Sequence, residues 1–315
     1  MIPTPQRVRA NRLWSAGLAL VVGACVAAAA WIASPGPAAV WIAIAAAAVT
    51  AGGLYRFGTR VWRRRRKVLA RPLPRAWERI LNERVAFYRA LPDDRKRRFR
   101  RLVAIFLDET PIAATGCELD DPARVLIAAG AVIPILGLDD WEYGMLREVI
   151  LRAGQFEARS RPTDRAEPLL GMVGSPGGAF TGALVLSRDD LLGGFEAADK
   201  SNVAIHEFAH LVDMADGAVD GVPASLPRRE LRSWLDLVRR EMQQGSADWS
   251  DIPAYAFTAE QEFFAVAAEY FFEAPAELAE RHPELYEMLR RIFRQDPRGL
   301  SRGASPRPRG PKDPS

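Results

Sequence analysis

Two uncharged apolar runs constrain this chain more than any other feature of its sequence. Leu13 to Ala33 reads LWSAGLALVVGACVAAAAWIA and Ala38 to Leu54 reads AAVWIAIAAAAVTAGGL, with only SPGP between them. At about 1.5 Å of rise per residue, each run makes a helix of roughly 25 to 32 Å, close to the thickness of a bilayer's hydrocarbon layer. The expectation is a hairpin of two membrane spans. Arg7, Arg9 and Arg12 precede the first run, and Arg56, Arg60, Arg63, Arg64, Arg65, Arg66 and Lys67 follow the second. The positive-inside rule then puts both ends of the hairpin in the cytoplasm. Trp14, Trp31, Trp41 and Tyr55 fall near the run ends, where an interfacial aromatic belt sits. One rival is a core hairpin of a soluble protein, but a core helix rarely runs this long without a charge. Another is a cleaved leader ending in the lipoprotein-like VGAC at Cys25; the second run and the arginine block behind it argue for an uncleaved anchor.

Charge follows the same division. Residues 1 to 67 hold ten Lys or Arg and no Asp or Glu, so with a whole-chain charge of +4 the remainder carries −6. The basic balance is a membrane-flank property, and no nucleic-acid partner is expected. The cluster RKRRFRR, Arg95 to Arg101, reads as a solvated or lipid-facing helix face. Two cysteines, Cys25 and Cys117, argue against a disulfide framework and suit a reducing compartment.

Beyond Pro72 and Pro74 the segments 75–90, 93–108 and 121–137 carry apolar residues at helical spacing. Between 147 and 187 the short pieces REVILR, PLLGMVG and TGALVLS predict a small sheet of three or four strands. Helices are expected again over 199–216, 227–243, 258–273 and 283–294. The fold class is therefore α+β, mainly helical, with a small sheet.

Within 199–216 lies HEFAH. On a helix of 3.6 residues per turn His206 and His210 stack one above the other and can aim at one ion, while Glu207, rotated by about 100°, can reach water on that ion without ligating it. Asp199, Ser201 and Asn202 are candidate N-caps, Gly217 is the natural stop, and Ile205, Phe208 and Val212 form the core stripe. Two of the chain's three histidines occupy this motif. The third, His282, precedes a proline and reads as a surface or capping residue. A catalytic zinc takes three protein ligands and an open position. The metzincin arrangement would need histidine where Asp216 stands, which excludes that class. Asp213, seven residues after His206, could ligate or orient a histidine from behind. The downstream helix TAEQEFFAVAAEYFF, with Thr258 and Gln261 as a capping box, offers Glu260, Glu262 and Glu269; Glu262 and Glu269 share a face beside the small residues Ala265 and Ala268. Spacing alone does not choose among them.

HEFAH followed by LVDMADGAVDGVP, a tyrosine and glutamate seven apart in YAFTAEQEFFAVAAEYFFEAP, and the upstream FLDETPIAATGCELDDPARVLIAAGAVIPILGL and GALVLSRDDLLGG resemble the Mlc titration factor A (DgsA anti-repressor) family of bacterial zinc peptidases, whose site is similar to that of the anthrax lethal factor protease domain. The likeness covers roughly residues 74 to 292. It implies one zinc held by His206, His210 and Glu262, with Glu207 as general base, Tyr255 beside the oxyanion or the zinc, and Glu269 behind the ligands. That is a zincin-like, gluzincin-type peptidase acting on a peptide or protein. The family's namesake sequesters a glucose-responsive repressor, so a transcriptional repressor is an implied partner. The expected division is a cytoplasmic amino terminus (1–12), a transmembrane hairpin (13–55), a basic linker (56–73), a metallopeptidase domain (74–296) and a disordered tail (297–315). The expected location is the bacterial inner membrane, with the catalytic domain facing the cytoplasm. The hairpin departs from the soluble members best known in that family.

Overall fold

Alanine- and leucine-rich sequence without a charge has little reason to leave the helix, and the first run continues upstream into it. In the computed structural model, which describes residues 2, 5–33, 36–139, 141–154, 182–196, 201–245 and 251–301, α1 spans Pro5–Ala33 and α2 spans Pro37–Gly58. They pack antiparallel through small residues: a Cβ on Gly23 would stand 3.1 Å from the Ala47 carbonyl oxygen, and one on Gly58 would press on Ser15. Their outer faces, including Leu18, Val21, Ile42 and Val49, are exposed. Both helices are long and apolar enough to cross a membrane, and little of their apolar surface is buried. Thr59 interrupts the second, its Oγ1 donating to the Tyr55 carbonyl at 2.7 Å, before the basic α3, Arg60–Leu69.

The chain divides into two compact units, Met1–Pro72 and Leu73–Ser315. The second begins with α4 (Arg75–Arg84) and α5 (Ala86–Ala90), one expected helix split where Val85 turns extended and buries its side chain, followed by α6 (Asp93–Glu109). The RKRRFRR face is only partly solvated. Arg98 donates to the carbonyls of Leu136 and Leu138 at 2.9 and 3.1 Å, and Arg100 reaches Glu78 and the Tyr88 hydroxyl.

Three strands, β1 (Ile112–Thr115), β2 (Glu148–Arg152) and β3 (Ala183–Ser187), form a parallel sheet in the order β1-β2-β3, with Val149 opposite both Ile112 and Leu184. The Val/Ile/Leu-rich β2 and β3 suit a pleated surface; β1, reading IAAT, does not advertise itself and becomes a strand because β2 supplies the ladder, Val149 N–H donating to the Pro111 carbonyl at 2.9 Å. The expected strand over 168–174 and the glycine-rich stretch 171–178 lie outside the described residues. Between β1 and β2 runs α7 (Asp121–Ile135), capped by Asp120, whose Oδ1 accepts from Ala123 N–H at 2.9 Å. Apolar around nearly its whole circumference, α7 is the central core helix.

After β3 come α8 (Arg188–Glu196), α9 (Val203–Asp213), α10 (Leu231–Gly245), α11 (Glu260–Glu273), α12 (Pro275–Arg281), α13 (Pro283–Phe293) and the short α14 (Pro297–Ser301). Residues 297–301, expected to open a disordered tail, are instead held in place, and the remainder of that expected tail lies outside the described residues: Asp296 accepts from the Tyr286 hydroxyl at 2.6 Å and the Gly299 N–H at 3.2 Å, and Arg298 lies over the Tyr286 ring. The buried core is mainly helical. Phe264 and Phe271 each stack on Phe293, with ring centroids 5.9 and 5.7 Å apart, behind α11. On the other side α9 lies against α7, where Gly130 is needed because any Cβ there would collide with Ala204. Gly130→Ala is expected to cost about 1–3 kcal/mol in denaturant unfolding; a neutral substitution would mean that α7 and α9 do not meet at that point.

Candidate metal centre

The helix carrying HEFAH starts where Asn202 caps it. The Asn202 side-chain oxygen accepts from Ile205 N–H at 3.3 Å, its Nδ2 donates to Gly194 O at 3.1 Å and to Glu273 Oε1 at 2.9 Å, and its own N–H donates to Glu269 Oε2 at 2.6 Å. Among the expected caps the structure uses Asn202; Asp199 lies outside the described residues. Ile205, Phe208 and Val212 are fully buried, and the helix ends through the short 3-10 turn Met214–Asp216 into Gly217 at φ +100°, a conformation that glycine adopts without strain.

Burying that stripe turns both histidines inward toward α11. His206 Nε2 and His210 Nε2 lie 3.2 Å apart with ring planes at 82°. Glu262 sets one carboxylate oxygen against each, Oε2 at 3.3 Å from His206 Nε2 and Oε1 at 3.5 Å from His210 Nε2. Ligand atoms spaced tetrahedrally around an ion at about 2.1 Å stand roughly 3.4 Å apart, so these separations fit a zinc-sized cation. Among the described residues, His206, His210 and Glu262 are the group with ligand atoms converging closely enough to hold one.

Behind His206 sits Glu269, its Oε1 2.7 Å from Nδ1 and its side chain 3% exposed. In the neutral ring that carboxylate would accept the Nδ1 proton and so turn the Nε2 lone pair toward Glu262 and His210. Glu207 stands beside the trio with Oε2 covered and, among the described residues, without a hydrogen-bond partner; His210 Nδ1 is in the same position. Burial pushes the Glu207 carboxyl up, against the pull of both histidines. Burial would also strip the proton from His206, yet the Glu269 charge, hydrogen bonds to Glu262 and Glu269, and the Glu207 charge outweigh it and push the imidazole up to about 10. Glu262 moves the opposite way, its burial overcome by the two histidines, which hold its carboxyl well below the usual range. The pocket thus concentrates negative charge around two imidazoles, an arrangement suited to a cation.

Tyr255 belongs to a 3-10 turn, Ala254–Thr258, and its hydroxyl is 3.1 Å from His206 Nδ1, on the same ring nitrogen that Glu269 contacts. Thr258 Oγ1 donates to the Tyr255 carbonyl at 2.7 Å and is not the cap of α11, whose N-cap is Ala259 with no side-chain bond; the expected capping box is not formed. Asp213 is not drawn into the converging trio. Its Oδ2 accepts from Gly221 N–H at 2.9 Å, and burial lifts its carboxyl to about 6. Gly221, at φ +77°, lies so close to the Glu260 backbone that no Cβ fits, and its carbonyl accepts from the buried Trp234 Nε1 at 2.7 Å. Asp213, Gly221 and Trp234 therefore hold the loop after α9 against the first turn of α11, two residues ahead of Glu262. Neither Trp234 nor Gly221 stood out in the sequence, because each acts through a backbone contact with a distant element.

The pattern of the family described as "Glucose-regulated metallo-peptidase M90" matches residues 59–294. The chain belongs to that family. The Mlc titration factor A of Salmonella agona is 33% identical over 216 residues, covering 62% of this chain and 79% of that protein, and that of Cronobacter sakazakii is 29% identical over 252 residues, covering 75% and 91%. A Synechocystis protein described as uncharacterized, slr2042, is 30% identical over 258 residues, covering 74% and 89%. Metallo-peptidase membership implies a metal, and the His206–His210–Glu262 cluster is where this M90 chain could hold it. In the metal-free protein the His206 side-chain 15N resonances should titrate well above the ordinary value of about 6.5, toward about 10; a midpoint near 6.5 would mean that the surrounding carboxylates do not hold a proton on that ring.

Proposed function

We propose that this M90 member is a membrane-anchored zinc peptidase of the gluzincin type, with His206, His210 and Glu262 as ligands and Glu207 as general base. The observation that carries the reading is Glu207: a carboxylate with a covered, unpartnered oxygen standing beside three converging ligand atoms. A structural zinc is normally closed by a fourth side chain and has no use for a base there. A bound zinc would supply Lewis-acid polarisation of a peptide carbonyl and lower the pKa of its water to about 7. Glu207, pushed up by burial, is suited to take a proton from that water and return it to the leaving amine. Tyr255, the exposed member of the group, would donate to the oxyanion formed at the scissile carbonyl. Glu269 holds the His206 ring in the orientation and tautomer that ligation needs. β3 pairs on one side only among the described residues, with β2, and would offer its other edge to an extended peptide.

The anchor in this reading is the α1–α2 pair, with residues 13–55 in the membrane, 56–73 as a basic linker and 74–296 as the catalytic domain. Uncovered apolar side chains on both helices and arginines at both ends support a bacterial inner-membrane location with the catalytic domain in the cytoplasm. A second role, binding a transcriptional repressor, is favoured by the name that the relatives carry, since a titration factor for Mlc is named for that interaction.

Two substitutions separate base from ligand. Glu207→Gln should retain close to one zinc per chain and lose chelator-sensitive cleavage of fluorogenic peptides by at least a hundredfold, on the scale of a lost general base; cleavage at the wild-type rate would remove Glu207 from the chemistry. Glu262→Ala should empty the site, as read by metal analysis after dialysis, and full occupancy in that variant would move the ligand role to another carboxylate.

A further inference from the structure

A second cluster of charged groups lies outside the metal pocket, around the third histidine. His282 sits at the junction of α12 and α13 with its side chain 16% exposed. Its Nε2 is 2.9 Å from Asp251 Oδ1 and its Nδ1 is 3.2 Å from Glu241 Oε2 on α10. A neutral imidazole donates from one nitrogen; an acceptor carboxylate at each therefore calls for the imidazolium. Hydrogen bonding to Glu241 raises the affinity of His282 for its second proton, partial burial opposes it, and Asp251 adds to it. Asp251 also accepts from the Tyr270 hydroxyl on α11, with Arg281 Nη1 3.7 Å away; against the effect of burial, the Tyr270 and His282 hydrogen bonds hold its carboxyl down to about 2. The imidazolium thus links Asp251 to α10 and the α12–α13 junction, and the Tyr270 hydroxyl links it to α11.

Asp251 begins the segment Asp-Ile-Pro-Ala-Tyr that ends at Tyr255. The segment has no glycine, Pro253 fixes one φ, Ile252 is buried, and Ala256 N–H donates to the Pro253 carbonyl at 2.9 Å. A shift at Asp251 has little slack in which to dissipate before it reaches the tyrosine ring.

We propose that His282 is a positioning residue: by clasping Asp251 and Glu241 it sets where the Tyr255 hydroxyl stands beside His206. The proposal rests on the reading of Tyr255 as an oxyanion donor. It makes the remote histidine part of the machinery that aims that donor.

The test is a double-mutant cycle on the zinc-loaded full chain with a fluorogenic peptide. Tyr255→Phe should lower kcat about a hundredfold, on the scale of a lost oxyanion donor. His282→Gln should lower kcat about tenfold, on the scale of a misplaced group, with KM and zinc content unchanged. In the Tyr255→Phe background His282→Gln should add less than twofold, because the two act through one contact. An equal loss with and without the tyrosine hydroxyl, or no loss at all, overturns the clasp. A full-rate Tyr255→Phe removes the tyrosine from the chemistry and the clasp's purpose with it. If His282→Gln does not fold, Glu241→Gln takes its place in the cycle, keeping the Asp251 bond and giving a smaller loss that must likewise vanish without the hydroxyl. A readout that needs no turnover is the His206 side-chain 15N resonance, which His282→Gln should shift in the direction that Tyr255→Phe does; an unmoved resonance overturns the proposal.

Discussion

Everything around the candidate site follows from burying carboxylates between two apolar helices. Glu262 and Glu269 are gathered about His206 and His210 between α9 and α11, with Glu207 beside them. Each ionised carboxylate moved out of water costs several kcal/mol unless a counter-charge or hydrogen bonds offset it. Imidazole can offset part of this by taking up a proton, and the carboxylates around His206 push its affinity for one upward. A divalent cation held by the two imidazoles and Glu262 would offset it more completely, by accepting the nitrogen lone pairs and neutralising a carboxylate at once.

The frame that enforces the arrangement is the α9–α11 pair. Seven residues are almost two full turns, so Glu262 and Glu269 lie along one line on α11, about 10 Å apart along its axis. The His206 ring occupies the space between them, Nε2 toward Glu262 and Nδ1 toward Glu269. One imidazole is bracketed front and back by the same helix. Ala265 and Ala268 on α11, both fully buried, are small enough to let the helices approach this closely. Glu269 and Glu273 then grip Asn202, so the partner helix helps to cap the helix whose histidine it orients.

What could be read from the sequence divides by distance along the chain. The convergence of His206 and His210 depends on i,i+4 geometry, which any helix supplies, and Asn202 was among the caps that local rules identify. Glu262 could not be separated from Glu260 and Glu269 by spacing, because the rotation of α11 relative to α9 is decided by packing between them; only likeness to a family singled it out. Strand β1 escaped notice since IAAT has no strong β preference and depends on its neighbour. Thr258 looked like a capping-box residue, but a short hydroxyl has several backbone groups within reach, and here the Tyr255 carbonyl won it. Asp213 and His282 were visible as residue types but their partners were not: the first accepts from Gly221, the second lies between two carboxylates, and the fold alone brings these groups together.

The amino-terminal unit answers the opposite physical problem. The peptidase-family unit gathers charge in a covered pocket and balances it there; α1 and α2 leave apolar side chains uncovered and confine charge to their ends. Helices of this kind could have covered each other and nothing more, but Gly23 and Gly58 bring their backbones together along one narrow seam, and the remaining circumference stays apolar and bare. Water offers no compensation for such a surface, whereas a hydrocarbon layer flanked by phosphates accepts both the bare apolar faces and the arginines beyond them. The matched family region begins at residue 59, where the chain turns from that apolar hairpin to basic sequence, so the hairpin lies ahead of the matched region and the basic flank lies within it. If the hairpin anchors the chain as proposed, the net negative charge behind the basic flank would keep the rest of the chain from non-specific attraction to an anionic bilayer everywhere except at that anchor.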